Sequence, residues 1–295
     1  MAGIVSDATT GDRLFAILQY LLPKQLLSRF IYHLMRTESP AVKRLLIGSF
    51  LRGYAVNMEE AAQPDAFAYR SFNDFFTRAL KTGARPIAAA QDIVVSPVDG
   101  TWSQRGILDG EALLQAKGRY YSLTELLAND REAIEAYRDG GFACIYLAPY
   151  NYHRIHMPCA ARLRSTVYVP GDLFSVNAAT VRAVPRVFAR NERVICDFDT
   201  AFGRIAVILV GALFVGSMAT VPCGEINPPP RRSKSPQRLA NGVGREFAKG
   251  EELGRFNMGS TVILLTQRER VHWNSELALP ATVQLGQAIA SVVES

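Results

Sequence analysis

Apolar residues recur along this chain in two rhythms. From Arg13 to about residue 80 they keep helical spacing, as in RLFAILQYLLPKQLLSRFIYHLMR, where Leu, Ile and Phe are separated by Gln, Lys, Ser and Arg. Beyond about residue 93 the apolar runs are short, β-branched and aromatic: IVVSPVDGTW, FACIYLAP, STVYVPGD, RVICDFDT, RIAVILVGALFVGSMATV and STVILLTQ. Several of these are bounded by Gly, Pro, Asn or Asp, so the first rhythm predicts helices and the second predicts strands and turns. Pro23 should end one N-terminal helix and start the next. SFNDFFTRALK predicts a short helix capped by Ser71 or Asn73. One helix, about Ser122 to Arg138, should interrupt the strands, with Ser122 and Glu125 in capping-box spacing. NPPPRRSKSPQR, 227–238, has no apolar residue besides its prolines and predicts a mobile loop or linker. The expected class is α+β, a mostly antiparallel β core (81–295) behind a helical N-terminal part (1–80).

The helical part is too interrupted to span a bilayer. Gln19, Pro23, Lys24, Gln25, Ser28 and Arg29 break it before about 20 apolar residues accumulate. No small-residue cleavage site follows an apolar stretch, which argues against a secretory signal. Charge changes the picture here. The chain carries a formal +6, and residues 13–56 hold seven basic residues against the single acidic Glu38. Short helices with Leu and Phe on one face and Lys and Arg on the flanks suit the surface of an anionic membrane. The alternative is an amphipathic helix packed on its own core. Nucleic acid fits poorly, since the basic residues interleave with aliphatic rather than stacking aromatic side chains.

With 295 residues, 48% of them hydrophobic, the chain can bury a full-sized core. Its four cysteines, Cys144, Cys159, Cys196 and Cys223, show no close pairing and read as reduced thiols of a cytosolic compartment.

Residues able to do chemistry lie in three places. SPVDG offers Asp99 in a turn between strand-like runs, a common structural use of Asp-Gly. NYHRIHMP holds His153 and His156, which face one way on a helix and opposite ways on a strand, so a turn must shape the segment if both serve one site. Cys159 repeats the spacing, but no further ligand lies close by and no metal is expected. The third place is RFNMGSTVILL, where Gly259 and Ser260 precede an apolar run. A Ser, His and Asp set suggests a nucleophile with a base. NMGST lacks the outer glycines of G-x-S-x-G and leads into a strand, which argues against a hydrolase elbow. Gly259 has no side chain to block approach to its own carbonyl and could hold strained backbone angles, so Ser260 could attack that carbonyl.

These segments closely resemble the bacterial, pyruvoyl-dependent phosphatidylserine decarboxylase proenzyme family. The resemblance runs through LQYLLPK, FNDFFTRALKTGARPI, SPVDG, LQAKGRYYSLTELL, YNYHRIHMP, YVPGDLFSVN, FARNERVICDFDT and GRFNMGSTVILL, in the family's order. The family's usual Leu-Gly-Ser-Thr is here Met258-Gly259-Ser260-Thr261, an exchange that preserves volume and apolarity.

The resemblance implies self-cleavage between Gly259 and Ser260 into a β subunit, 1–259, and an α subunit, 260–295. Ser260 would be the nucleophile, with His156 as its base and Asp99 orienting that base. It would then become a covalent pyruvoyl group (pyruvate), the Schiff-base centre for phosphatidylserine. His153 becomes the candidate proton donor, and GDLFSVN, 171–177, a pocket wall. Arg78, Arg85 and Arg119 are the candidates to hold the phosphate. The implied product is phosphatidylethanolamine, made by a peripheral enzyme on the cytoplasmic face of the cell membrane. The α and β subunits would be partners, with room for a homo-oligomer of that heterodimer.

Overall fold

The computed structural model describes residues 7–116, 118–214, 217–226 and 233–293. Three helices open it: α1 (Thr10–Leu21), α2 (Lys24–Met35) and α3 (Pro40–Gly53). Thr9 and Asp12 form a capping box at the start of α1. Pro23 separates α1 from α2, where its ring removes the amide donor that a continuous helix would use. Helix does not continue evenly to residue 80. After α3 only a 3-10 turn at Ala66–Ala68 and α4 (Phe72–Phe76) are helical. Side chains in this stretch bond the nearby backbone instead, Asn57 accepting from Glu59 N and Asp65 from Phe67 N. Of the two candidate caps for α4, Ser71 takes the role, accepting from Asp74 N.

The helix expected from Ser122 to Arg138 is two short ones, Leu123–Leu126 and Arg131–Tyr137. The Ser122–Glu125 box forms. Ala128 and Asn129 then turn left-handed (φ 55° and 64°), and Asp130 caps the second piece.

The β-rich runs pair antiparallel. The largest sheet runs in the order Gln237–Leu239, Ala161–Val169, Arg193–Thr200, Gly203–Val210, Ser260–Thr266, Gly141–Leu147, Gly100–Ile107, Ala281–Val283, with Glu246–Phe247 also on Ala161–Val169. A four-stranded sheet joins Gly224–Ile226, Met218–Thr220, Glu252–Phe256 and Arg154–His156. Ile93–Val95, Ala288–Val292 and Val271–Trp273 make a third. Of the basic proline-rich segment, 227–232 lies outside the described residues, while Gln237 and Arg238 belong to an edge strand.

Ser260–Thr266 is central in the largest sheet and buried at every position, with Ser260 opposite Leu147 and Thr261 opposite Val210. Burial on both faces is why its sequence is continuously apolar and β-branched rather than alternating. The strand before it, Glu252–Phe256, lies in the other sheet, so residues 257–259 link two sheets. Met258 touches both the main core and a smaller apolar cluster of Ile47, Phe72, Phe75 and Phe76 beneath α3 and α4.

The first helices are built the other way round. In α1 the buried residues are Asp12, Ala16 and Gln19, while Leu14, Ile17, Leu18 and Leu21 are exposed, Leu21 to 77%. Asp12 pairs with Arg182 through two bonds of 2.9 and 3.0 Å. Gln19 donates to Thr180 Oγ1 at 2.9 Å and accepts from Ser175 N at 2.8 Å. In α2 only Ser28 is buried, and Leu26 and Phe30 face outward. These helices therefore do not lay their apolar faces on the core. Among the described residues, no helix is long and apolar enough to cross a membrane. All four cysteines are free thiols, and burial pushes Cys144, Cys159 and Cys196 up to about 12.

Candidate active site

The link between the two sheets is held on three sides. Phe256 N donates to the His153 carbonyl at 3.0 Å, and Asn257 N to the Ser217 carbonyl at 3.1 Å. Asn257 also donates from its side chain to Ser217 Oγ and accepts from Asn73 on α4. Ser260 follows, fully buried, and its Oγ has no hydrogen-bond partner. Thr261 Oγ1 is likewise unpartnered. A methyl placed on Gly259 would lie 4.0 Å from His153 Nε2 and 3.6 Å from the Leu147 carbonyl oxygen, ordinary contacts. Gly259 is not among the residues at positive φ, so the strained angles expected there are not found. Glycine is demanded instead at Gly100, directly after Asp99, where a Cβ would meet the Tyr146 carbonyl oxygen at 2.5 Å.

His153 is buried against Phe76 of α4, ring centroids 4.0 Å apart. Its Nδ1 donates to the Asn151 carbonyl at 2.8 Å, which leaves Nε2 carrying the lone pair. That atom is buried and unpartnered. Burial, with the nearby Arg78 charge, lowers the His153 pKa to about 3, so the ring is a neutral base near neutrality.

His156 sits three residues on, in Arg154–His156. Its Nδ1 donates to the Gly250 carbonyl at 2.8 Å, and its Nε2 accepts from the Tyr152 hydroxyl at 3.0 Å. Burial lowers its pKa from the ordinary value, and the Asp99 charge opposes that shift. Backbone bonds bring the two segments together, His156 N to the Pro97 carbonyl and Val95 N to the Pro158 carbonyl, both 2.9 Å.

Asp99 accepts from Arg85 Nε and Nη2, at 2.9 and 2.7 Å, and from Leu285 N at 2.9 Å. Arg85 also bonds Glu60 at 2.8 Å. Its bonds to Asp99 hold Arg85 well above its ordinary pKa. The structure thus sets His153 against Gly259 and puts Asp99 and His156 in adjoining segments. No hydrogen bond joins Asp99 to His156, or either of them to Ser260, among the described residues. Asn151, Tyr152, Phe76 and Glu60 were not singled out from the sequence. Asn151 and Tyr152 stand directly before the histidines in NYHRIHMP and Phe76 lies in FNDFFTRALKTGARPI, whereas Glu60 falls in no such segment.

Of the three arginines, Arg85 is committed to Asp99 and Glu60, and Arg119 donates to the Ala183 carbonyl. Arg78 lines a cavity of about 260 Å³ together with Asp99, Arg85, Tyr150, Asn151 and Tyr152. Residues 171–177 do not line it; Ser175 holds Gln19 of α1, and Asn177 caps the Ala178–Ala183 helix.

A family model described as phosphatidylserine decarboxylase matches residues 72–291, and a second, described as PSD, matches residues 14–55. The chain is 48% identical over 280 residues to the phosphatidylserine decarboxylase proenzyme of Methylococcus capsulatus, covering 95% of this chain and 96% of that one. It is 49% identical over 283 residues to the protein of the same name from Marinobacter nauticus, covering 95% and 98%. The Ectopseudomonas mendocina proenzyme of that name is 48% identical over 281 residues, covering 95% and 98%.

Proposed function

The chain belongs to the phosphatidylserine decarboxylase family, and from that premise we propose that it cuts itself between Gly259 and Ser260 and then decarboxylates phosphatidylserine to phosphatidylethanolamine. The carrying observation is the buried, unpartnered Ser260 Oγ at the joint of two sheets, directly after Gly259, which faces a histidine nitrogen that also lacks a partner. A hydroxyl left unbonded in a dry interior costs free energy; Ser28, Thr166, Thr261 and Thr266 carry one too, and Ser260 is set apart from them by following Gly259 at the joint of the two sheets.

In the cut, Ser260 Oγ adds to the Gly259 carbonyl carbon, the peptide C–N bond breaks, and an ester forms with a free amine on Ser260. Loss of the Ser260 α-proton with the Cβ–O bond releases the Gly259 carboxylate and leaves dehydroalanine. One water then replaces the nitrogen, and ammonia leaves behind a pyruvoyl group at the head of 260–295. His156, oriented by Asp99, is the base of this sequence. In the uncut chain Tyr152 caps His156 Nε2, the Gly250 carbonyl holds its Nδ1 and Asp99 is bonded to Arg85, so this role needs Tyr152 to move aside and Asp99 to act on His156 through its charge rather than through a hydrogen bond. A second reading is favoured by the free His153 Nε2 beside Gly259, which needs no such movement. In that reading His153 takes the Ser260 proton. His156→Ala blocks the cut and His153→Ala permits it if the first reading holds; the reverse holds for the second.

The site suits a pyruvoyl group, since Ser260 heads a strand held on both edges and a fragment so paired stays in place without a covalent link. When present, that group supplies a carbonyl electron sink for the departing carboxylate. His153, with its Nε2 unpartnered and facing Gly259, then takes the proton from the substrate ammonium and returns it to the α-carbon after carbon dioxide leaves; burial keeps the ring neutral at rest and opposes the charged form, so the proton stays on it only briefly.

Substrate reaches the site from a lipid surface on which α1 and α2 rest. Their outward Leu14, Ile17, Leu18, Leu21, Leu26 and Phe30, flanked by the exposed Arg13 and Arg29, make a peripheral membrane contact. The deciding experiment is the intact mass of the protein beside Ser260→Ala. We expect two fragments meeting at Gly259, the smaller lighter by one ammonia than a plain hydrolysis product, and an uncut, inactive Ser260→Ala chain. An uncut wild-type protein that still releases carbon dioxide would overturn the mechanism.

A further inference from the structure

Arg78 stands apart from the other buried arginines. It is 4% exposed, directly after Thr77, the C-cap of α4, and its Nε and Nη1 are buried with no hydrogen-bond partner. Its remaining contact is a long one, Nη2 to the Tyr150 carbonyl at 3.5 Å, with the Phe75 ring centroid 5.7 Å away. By contrast, Arg193, as deeply buried, has its donors on the carbonyls of Leu126, Ala189, Asn191 and Glu125. Arg204, although its Nε is also unpartnered, has two carboxylates, Asp197 and Glu132, and Arg85 has Asp99 and Glu60. A guanidinium out of water with two of its three nitrogens unpartnered is a costly arrangement for a fold to hold, and it stays charged. Arg78 lines the cavity that also includes Asn151 and Tyr152, the two residues before His153, and lies close enough to His153 for its charge to be felt there. The two carboxylates in that cavity, Asp99 and Glu60, are bonded to Arg85 and do not bond Arg78.

We propose that Arg78 binds the phosphodiester of the incoming headgroup, its unpartnered N–H groups donating to the nonbridging oxygens. This rests on the decarboxylase reading above and adds the residue that holds the substrate. Phosphate suits the place better than the substrate carboxylate does. A carboxylate leaving as carbon dioxide gives up its charge in the transition state, so an ion pair to it would favour the ground state and slow the reaction. The phosphodiester keeps its charge from binding to release.

The test compares the wild-type protein with Arg78→Gln and Arg78→Lys. It reads self-cleavage by mass, turnover of phosphatidylserine in mixed vesicles, and inhibition by glycerophosphoethanolamine, which has the phosphodiester and no carboxylate. Arg78→Gln should still be cut. Its KM for phosphatidylserine and its inhibition constant for glycerophosphoethanolamine should both rise about ten- to a hundred-fold, the scale of one charge-assisted contact, with a smaller change in kcat and partial recovery in Arg78→Lys. A rise for phosphatidylserine alone would assign Arg78 to the carboxylate and overturn the proposal. Slowed cleavage with unchanged KM would assign it to the new Gly259 carboxylate, and no change in either constant would leave it a structural residue; both overturn the proposal. If Arg78→Gln does not fold, the wild-type enzyme decides, because a methyl phosphotriester of phosphatidylserine should show the same rise in KM and equal KM values would refute the contact. An uncut wild-type chain that releases no carbon dioxide would remove the decarboxylase reading itself, and this proposal with it.

Discussion

In the Ser260–Thr266 strand every residue is buried, whereas α1 buries Asp12 and Gln19 and turns Leu14, Ile17, Leu18 and Leu21 outward. Both segments are rich in Leu and Ile, and composition alone would send both to the core. What separates them is the partner each inner face finds. The strand has a hydrogen-bonded neighbour on each edge and core on both faces. Helix α1 meets Arg182, Thr180 and Ser175, so Asp12 and Gln19 are satisfied by turning inward, with the small Ala16 between them. Apolar sequence thus takes two places in this molecule, the protein interior and an exposed helix face, which we propose meets a lipid surface.

The largest expected effect lies on the core side. Ile263→Ala removes a fully buried side chain from the central strand and should cost about 2–5 kcal/mol in chemical denaturation. In the cut protein it should also let residues 260–295 dissociate on size exclusion. Retention with unchanged stability would break the contrast from that side. Next, Gln19→Leu makes the inner face of α1 apolar and strips Ser175 N and Thr180 Oγ1 of their partner, at about 1–3 kcal/mol. Hydrogen exchange over α1 should rise, while an apolar substitution that tightened the helix would refute the inverted design.

The buried histidine gives a pH-dependent term of similar size. His153 is held at about 3 when folded, against an ordinary value near 6.5, so the folded protein declines a proton that the unfolded chain accepts. Its contribution is present above pH ~6.5 and falls as pH drops toward 3, by about 1.4 kcal/mol per pH unit. Urea midpoints compared at pH 6.5 and 5 should show the decline, with a shallower slope in His153→Gln. The smallest stability change belongs to Leu21→Glu, which should leave the thermal midpoint nearly unmoved, within about 0.5 kcal/mol. The same change should weaken binding to anionic vesicles about tenfold or more in a sedimentation assay. Undiminished binding would show that the outward leucines face something other than lipid.

Much of the fold was legible because its signals are local. The break at Pro23, the Ser122–Glu125 box and the buried run after Ser260 need only neighbours in sequence. Ala128 and Asn129, which split one expected helix, left no mark in the apolar periodicity. Neither did the inward turn of Gln19, which depends on residues more than 150 positions away. In the site, the motifs brought Asp99, His153, His156, Gly259 and Ser260 into view. The Arg85–Glu60 clamp on Asp99 and the Tyr152 hydroxyl on His156 arise from tertiary approach and have no spacing to read. Arg78 differs from Arg85 and Arg119 only in the bonds it lacks, which no sequence displays.

The proposed cut falls at the joint between two sheets. The Glu252–Phe256 ladder ends at Phe256, opposite Met218, and the next ladder begins at Ser260, opposite Leu147. A cut between 259 and 260 therefore touches at most the first rung of one sheet, Ser260 with Leu147, yet the two new ends are anchored in different sheets. Each end can relax toward its own layer, so the two termini lose the alignment that rejoining would need. With the proposed cut there, the joint would work as a ratchet, letting maturation run forward at little cost to the fold and leaving it no easy way back.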